Sequence, residues 1–158
     1  MIALWQLGLG LDATALSSSA QVELAPGARV WVGTARPVAG PLALGSTLEV
    51  QGTAYRARTD LYTIDTTFLR ASPTFDLDVG DERACFQLGV GPAVAARSVG
   101  LRGGGLDVDT LRVEPGARAR TAVDVAFGAH GVFRWQVALT TRASQLDYDG
   151  GVGLGWRW

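Results

Sequence analysis

The chain has 158 residues, of which 47% are hydrophobic, 18% are charged and 21 are glycine. Its formal net charge of −1 gives no electrostatic reason to expect a nucleic-acid partner. The single cysteine excludes an internal disulfide and zinc sites built from several cysteines. No apolar run reaches the roughly 18 residues of a transmembrane helix, which is therefore excluded. The length predicts a single domain, residues 1–158.

Apolar residues alternate with small or polar residues along most of the chain, and this period of two is typical of β-strands. Eight such runs follow one another, with apolar positions at odd 3–15, even 22–34, even 42–56, even 62–70, even 84–96, odd 111–127, odd 133–143 and even 146–158. Turn-forming segments separate the runs, among them 36–41, 103–105 and 128–131, while residues 76–82 form an acidic stretch interpreted as part of a loop. The pattern predicts eight strands and no helix.

The two faces of these runs differ in composition. The apolar face carries only two charged residues, Arg56 and Arg70, both at predicted strand ends where arginine can reach a membrane interface. The opposite face carries many arginines, acidic residues and glycines. Small residues suit the inside of a narrow barrel, and buried charges are tolerated there when they are paired. We therefore predict an all-β, eight-stranded antiparallel up-and-down transmembrane β-barrel with a polar Gly/Arg/Asp-rich interior and an apolar exterior.

Aromatic residues on the apolar face support a lipid-facing exterior. An even number of strands places both termini at one end, so starts of odd strands and ends of even strands share one level. Aromatic residues gather there, as in the interfacial girdles of membrane barrels. The predicted girdle consists of Trp5, Phe68, Phe86, Phe127, Phe133, Trp135, Trp156 and Trp158.

The chain ends Gly153-Leu154-Gly155-Trp156-Arg157-Trp158, with apolar residues at alternate positions before an aromatic C-terminal residue. With the pattern over residues 2–158, this ending resembles the small bacterial outer-membrane β-barrels of the eight-stranded OmpA/OmpX type, although those usually end in Phe. The resemblance implies a Gram-negative outer membrane, periplasmic termini, a surrounding lipid bilayer, and Trp158 as a signal read by the barrel-assembly machinery. It also implies envelope proteins as further partners. Members serve as anchors, adhesins, lipid-modifying enzymes or narrow pores, so no single activity follows.

Residues suited to catalysis or metal binding are few. His130, the one histidine, lies in a turn sequence with no serine nearby, and we interpret it as a turn residue. The spacing of the acidic residues in 76–82 does not match an EF-hand calcium loop. We expect no enzyme activity, no catalytic residue, no metal and no cofactor. The N-terminus lacks the basic region and cleavage site of a signal peptide, so an exported protein would be a mature chain behind a start Met.

Charged residues of the polar face form the predicted site, a network within the lumen. Its members are Glu23, Arg29, Glu49, Arg112, Glu114, Arg118, Arg120, Asp124, Arg134, Arg142, Asp147 and Asp149. We predict that they form a salt-bridged plug in a barrel with a structural or interaction role. Two alternatives remain open. One is a narrow, porin-like pathway whose arginines favour small anions or other small solutes. The other is a soluble eight-stranded barrel whose apolar face encloses an apolar ligand.

Overall fold

The computed structural model describes residues 4–17, 22–58, 60–142 and 145–158, which form a closed barrel of eight β-strands. The strands are β1 (Leu4–Ser17), β2 (Val22–Ala39), β3 (Leu42–Arg58), β4 (Thr63–Gly80), β5 (Ala84–Gly103), β6 (Leu106–Phe127), β7 (Gly131–Arg142) and β8 (Gln145–Arg157). Each pairs antiparallel with the next, and β8 pairs with β1. The predicted fold is confirmed. Within the described ranges, no helix is long and apolar enough to cross a membrane.

The start of β1 at Leu4 and the end of β8 at Arg157 lie at the same end of the barrel, here called the terminal end. The opposite end is called the far end. At the terminal end, residues 40–41, 81–83 and 128–130 connect consecutive strands. Gly40 and Gly128 have φ angles of 53° and 61°, a left-handed conformation that glycine adopts without the steric cost of a Cβ atom. The barrel closes where Trp5 and Trp158 exchange two backbone N–H···O hydrogen bonds of 3.1 Å.

On the strands other than β4, side chains alternate between the two faces of the barrel as the sequence predicts. Leu9 and Leu11 on β1 point outward and are 66% and 71% exposed. Arginine and acidic side chains on the inner face are buried, among them Arg118 on β6 and Asp149 on β8. The polar interior and the apolar exterior are confirmed.

Glycines on the inner face make room for a large aromatic side chain. Trp31 on β2 points into the lumen and is 1% exposed. A Cβ atom on Gly8 of β1 or Gly153 of β8 would collide with its ring. The glycine-rich inner faces of β1 and β8 thus allow a tryptophan to fit inside a narrow barrel.

The inward and outward positions of β4 differ from those predicted for the fourth run. The prediction placed Phe68 in the outer girdle, Arg70 at the interface and residues 76–82 in a loop. In the structure β4 continues to Gly80, and Phe68 and Arg70 are buried in the lumen at 1% and 0% exposure. Phe68 also lies near the start of β4 and therefore toward the far end, away from the level of the girdle. Leu69 and Phe75 occupy the outer face instead, at 53% and 76% exposure.

The error has a physical reason in the neighbouring segment. Tyr62 and Ile64 suggested an apolar even-numbered face, because they precede Phe68 at the same spacing. Ile64 belongs to a part of the sheet that extends beyond the closed barrel, and there the inner face is the apolar one. The odd-numbered alternation through Leu69, Phe75 and Leu77 is the correct outer face of β4.

Four strands extend further than the others at the far end. β3 has no β2 partner beyond Thr53, and β6 has no β7 partner before Gly116, among the residues described. Residues 54–58, 63–67, 97–103 and 106–113 of β3 to β6 remain paired with one another. We call these residues the projecting sheet.

Candidate functional site

The centre of the lumen contains a group of ion pairs contributed by strands on opposite walls. The guanidinium of Arg118 donates to both carboxylate oxygens of Asp149, each at 2.8 Å, and to Glu49 at 2.5 Å. Arg70 on β4 donates to the same Asp149 at 2.7 Å. Gln136 on β7 donates to the second oxygen of Glu49 at 2.8 Å. Residues from five strands are thereby connected across the lumen.

Two further ion pairs lie beside this central group. Arg29 on β2 is 3.0 Å from Asp12 on β1, and both side chains are fully buried. Arg120 on β6 is 2.9 Å from Asp76 on β4 and donates to the Thr47 hydroxyl at 2.8 Å. Opposite charges are thus paired between strands, as buried charges require, although the side chains of Arg29 and Asp12 form no hydrogen bond with a described residue.

Toward the terminal end, a bidentate pair packs against the buried tryptophan. Arg134 on β7 donates to both oxygens of Asp124 on β6 at 2.7 Å. It also donates to Gln87 and Gln6, each at 2.9 Å. The Trp31 ring lies against the guanidinium groups of Arg134 and Arg29, at 4.9 and 5.4 Å from its centroid. These distances are within the range of cation–π attraction.

Toward the far end, a second bidentate pair packs against Phe68. Arg142 on β7 donates to both oxygens of Asp147 at 2.6 and 2.9 Å, and to Glu114 at 2.5 Å. The Phe68 ring lies between the guanidinium groups of Arg142 and Arg70, at 5.1 and 5.6 Å. Each aromatic ring in the lumen therefore contacts arginines of two ion pairs.

Small voids remain between these side chains. One of about 10 Å³ lies among Gln6, Thr47, Asp76 and Gln87. Another of about 20 Å³ lies near Cys85 and Asp124. A void of this size has room for about one water molecule.

The structure brings most of the predicted network residues into ion pairs. These are Arg29, Glu49, Glu114, Arg118, Arg120, Asp124, Arg134, Arg142, Asp147 and Asp149. Arg112 is a correction: it lies in the projecting sheet and forms no ion pair with any described residue, because Glu114 bonds to Arg142 instead. The side chain of Glu23 lies outside the part that the structure describes.

Sequence reasoning missed several residues of the lumen. Arg70 and Asp76 were missed because the phase of β4 was wrong, and the alternation continuing through Phe75 and Leu77 could have revealed it. Asp12 and Trp31 occupy predicted inner positions but were not included in the site. Trp31 had the clearest unused signal, because a tryptophan among inward glycines indicates a filled lumen.

The predicted girdle residues other than Phe68 all lie on the outer face. Trp5, Phe86, Phe127, Phe133, Trp135, Trp156 and Trp158 are 41–57% exposed. Trp158 lies beside Trp5 where β1 and β8 close the barrel. The outer surface at the terminal end therefore carries a belt of large aromatic side chains.

The terminal-end turns hold the remaining candidates. The carboxylate of Asp81 accepts backbone N–H bonds from Ala84 at 2.9 Å and Arg83 at 2.7 Å, which hold the pKa of that carboxyl below its usual range. His130 stacks on Trp156 with ring centroids 5.0 Å apart, and its Nδ1 lies 3.1 Å from the Arg157 carbonyl oxygen. Among the described residues, no three His, Cys, Asp or Glu side chains are grouped to hold a metal ion.

Comparison with known proteins gives matches by structure. No protein-family model matches the chain, and neither does any curated protein. Ail, the attachment invasion locus protein of Yersinia pestis, matches with a TM-score of 0.74 and 11% identity over 100% of both chains. Neisserial surface protein A matches with a TM-score of 0.72 and 14% identity over 96% of each chain. A major outer membrane protein from Thermus thermophilus matches with a TM-score of 0.71 and 10% identity over 100% of both chains.

These matches and the barrel's architecture define the class of fold: a bacterial outer-membrane β-barrel of eight strands, as the sequence resemblance predicted. The same fold also supports enzymes, because the outer membrane enzyme PagL matches with a TM-score of 0.54 and 12% identity. The fold therefore does not determine activity, which depends on the particular residues of this chain.

Proposed function

We propose that the chain is an integral outer-membrane protein with a structural or interaction role and a lumen closed by salt-bridged side chains. The contact between Arg118 and its partners on other strands is the observation that carries this proposal. Arg118 bonds to Asp149 and Glu49, and Asp149 bonds to Arg70 on another wall. An open pathway would require these buried partners to separate.

The energetics favour the closed lumen over the alternative of an anion pathway. Hydrogen bonds to charged groups contribute about 1.5–3 kcal/mol each, and separating a buried pair leaves both charges poorly solvated. Arg118 makes such bonds to both Glu49 and Asp149. The voids of about 10 and 20 Å³ leave little room for a hydrated ion.

The outer face of β4 supports integration in a membrane. Its apolar positions run from Leu69 to Val79, and Asp65 lies beyond Thr67 on the same face. Ten residue steps of about 3.3 Å give roughly 33 Å along the strand. A strand tilt of about 40° reduces this to about 25 Å along the barrel axis, the height of the apolar band in outer-membrane barrels.

We further propose that the terminal end faces the periplasm. Outer-membrane barrels have short periplasmic turns and longer extracellular segments. The turns at residues 40–41, 81–83 and 128–130 are short, and the strands that project beyond the closed barrel all do so at the opposite end. In this orientation Trp158 is presented to the barrel-assembly machinery before β8 closes onto β1. Envelope proteins would meet the chain through its turns.

We propose no catalytic role for the chain. His130 supports this view through its position, because its ring stacks on Trp156 and its Nδ1 lies against the Arg157 carbonyl. These contacts give the imidazole a role in holding a turn against the end of β8.

Two measurements on the purified protein test the proposal. We expect detergent to be required for solubility, and migration in SDS gels to shift on boiling. After reconstitution into planar bilayers, we expect no conductance steps above those of protein-free lipid. A monodisperse, detergent-free protein would contradict the membrane assignment, and reproducible anion-selective steps would establish the pore alternative.

The double variant Trp31→Ala/Arg134→Ala provides a matched control for the conductance measurement. It removes the aromatic ring and one guanidinium that pack together in the lumen. If it still shows the gel shift, we expect this variant to stay closed, because the group around Arg118 still crosses the centre of the lumen. Conductance in the variant but not in the natural sequence would attribute closure to Trp31 and Arg134 and not to the central group.

A further inference from the structure

The polarity of the two faces reverses in the projecting sheet. On its outer face, Arg102 lies 3.6 Å from Asp107, and Arg56 donates to Asp65. The Arg56 guanidinium holds the pKa of the Asp65 carboxyl below its usual range. Leu111 and Val113 keep the outer face of β6 apolar at the base of the projecting sheet. Beyond them the outer face is charged, which indicates that the outer part of this sheet stands in water.

The inner face of the same sheet becomes apolar at this level. Ile64, Leu101 and Val108 lie directly side by side on β4, β5 and β6. Val99 lies in the adjacent row, next to Thr66 and Thr110. Val108 is 47% exposed, although it occupies an inward position above the polar lumen. The inner face of the closed barrel, by contrast, is lined by charged and polar side chains.

Two arginines lie at the base of the apolar inner face. Arg97 and Arg112 are direct cross-strand partners on β5 and β6, and like charges in this position repel each other. The Nε atom of Arg97 is buried without a hydrogen-bond partner, and its guanidinium reaches Tyr55 only at 3.4 Å. Arg112 has no ion-pair partner among the described residues.

A cavity of about 280 Å³ opens between these arginines, with Val99 and Glu114 also in its wall. Glu114 contributes a negative charge, but its carboxylate bonds to Arg142 at 2.5 Å. Counting Arg97, Arg112 and Arg142 against Glu114 and Asp147 leaves one positive charge in excess. Counted over the described residues, the cavity therefore lacks one negative charge, and Val99 connects it to the apolar inner face.

We propose that this cavity binds a small amphipathic monoanion. The anionic head lies between the guanidinium groups of Arg97 and Arg112, where it relieves their repulsion and accepts charge-assisted hydrogen bonds. A short aliphatic chain extends along Val99, Leu101 and Val108. The volume is at the lower end of ligand pockets, which suits a ligand of about the size of hexanoate.

The test uses the whole protein in nanodiscs of zwitterionic lipid, with valine and leucine methyl groups labelled for NMR. We expect hexanoate to cause saturable shifts of the Val99 and Val108 methyl signals. Acetate, which lacks the apolar chain, should bind at least about tenfold more weakly, and so should uncharged 1-hexanol. Equal binding of acetate would overturn the apolar part of the proposal, and equal binding of 1-hexanol would overturn the ionic part.

Variants locate the head group. Arg112→Gln should weaken hexanoate binding by about tenfold or more, since a charge-assisted contact is lost. Arg102→Gln is the matched control, because it removes an arginine from the outer face of the same sheet, and its affinity should stay unchanged. The gel shift on boiling checks the folding of each variant, and Arg97→Gln replaces Arg112→Gln if the latter does not fold. Unchanged affinity in a folded Arg112→Gln or Arg97→Gln variant would overturn the site.

Discussion

Replacing Arg118 with methionine is the most direct perturbation of the lumen network. The substitution keeps the length of the side chain roughly unchanged but removes the donors to Glu49, Asp149 and Thr140. Breaking a buried ion pair by removing one partner costs about 3–5 kcal/mol. Asp149 keeps its bond to Arg70, and Glu49 keeps its bond to Gln136, so we expect the lower part of this range.

The assay is equilibrium unfolding in urea at fixed detergent concentration, with the folded fraction read from the gel shift. Arg102→Gln is the control, because its 3.6 Å pair with Asp107 is exposed and should contribute about 0–1 kcal/mol. Adding Glu49→Gln to Arg118→Met should recover part of the loss, because Glu49 loses its close cation in the single variant, whereas Asp149 keeps Arg70. A loss in Arg118→Met no larger than in Arg102→Gln would refute the reasoning.

Three further predictions follow from the outer face, the inner glycines and a turn. Phe75→Arg in the middle of the apolar band should lower stability by about 2–4 kcal/mol, whereas Thr67→Arg near its edge should cost about 0–1 kcal/mol, as measured by unfolding in lipid vesicles. Gly8→Leu should prevent folding because its side chain meets Trp31, and adding Trp31→Ala should restore the gel shift. Because the pKa of Asp81 is lowered in the folded protein, its stabilising contribution is present above the ordinary value of 3.8 and is lost as pH falls through the folded pKa. The stability difference between the natural sequence and Asp81→Asn should therefore begin to shrink as the pH falls below 3.8 and vanish once the pH is below the folded pKa. A difference that stays constant as the pH falls through this range would contradict this assignment.

Period-two alternation was sufficient to predict the barrel because, in seven of the eight runs, each face of the strand contacts a single environment along most of its length. The outer face contacts lipid and the inner face contacts the polar lumen. The apolar positions of β1, for example, remain outward from Trp5 to Leu11. The inner charges could be assigned as a group for the same reason. Their individual pairing could not be predicted, because contacts such as Arg118 with Glu49 depend on strands that are distant in sequence.

The prediction for the fourth run was wrong because the two faces of β4 do not keep the same environment along the whole strand. Along the closed barrel the outer face of β4 is apolar and the inner face contains Arg70 and Asp76. Beyond Thr67 the outer face carries Asp65 and the inner face carries Ile64. A period-two pattern does not show where such a reversal occurs. If the phase of a strand is taken from the segment beyond the reversal, as it was from Tyr62 and Ile64, the inner and outer faces of the rest of the strand are exchanged.

Inward arginines have different surroundings in the closed barrel and in the projecting sheet. Within the closed barrel, an arginine on the inner face finds carboxylates on several walls, as Arg118 does with Asp149 and Glu49. In the projecting sheet the opposite wall is missing, because β6 has no described β7 partner before Gly116. An inward arginine there, such as Arg112, has lost the carboxylates that the opposite strands would supply. Inward arginines therefore close the lumen within the closed barrel, whereas inward arginines of the projecting sheet are available to a ligand.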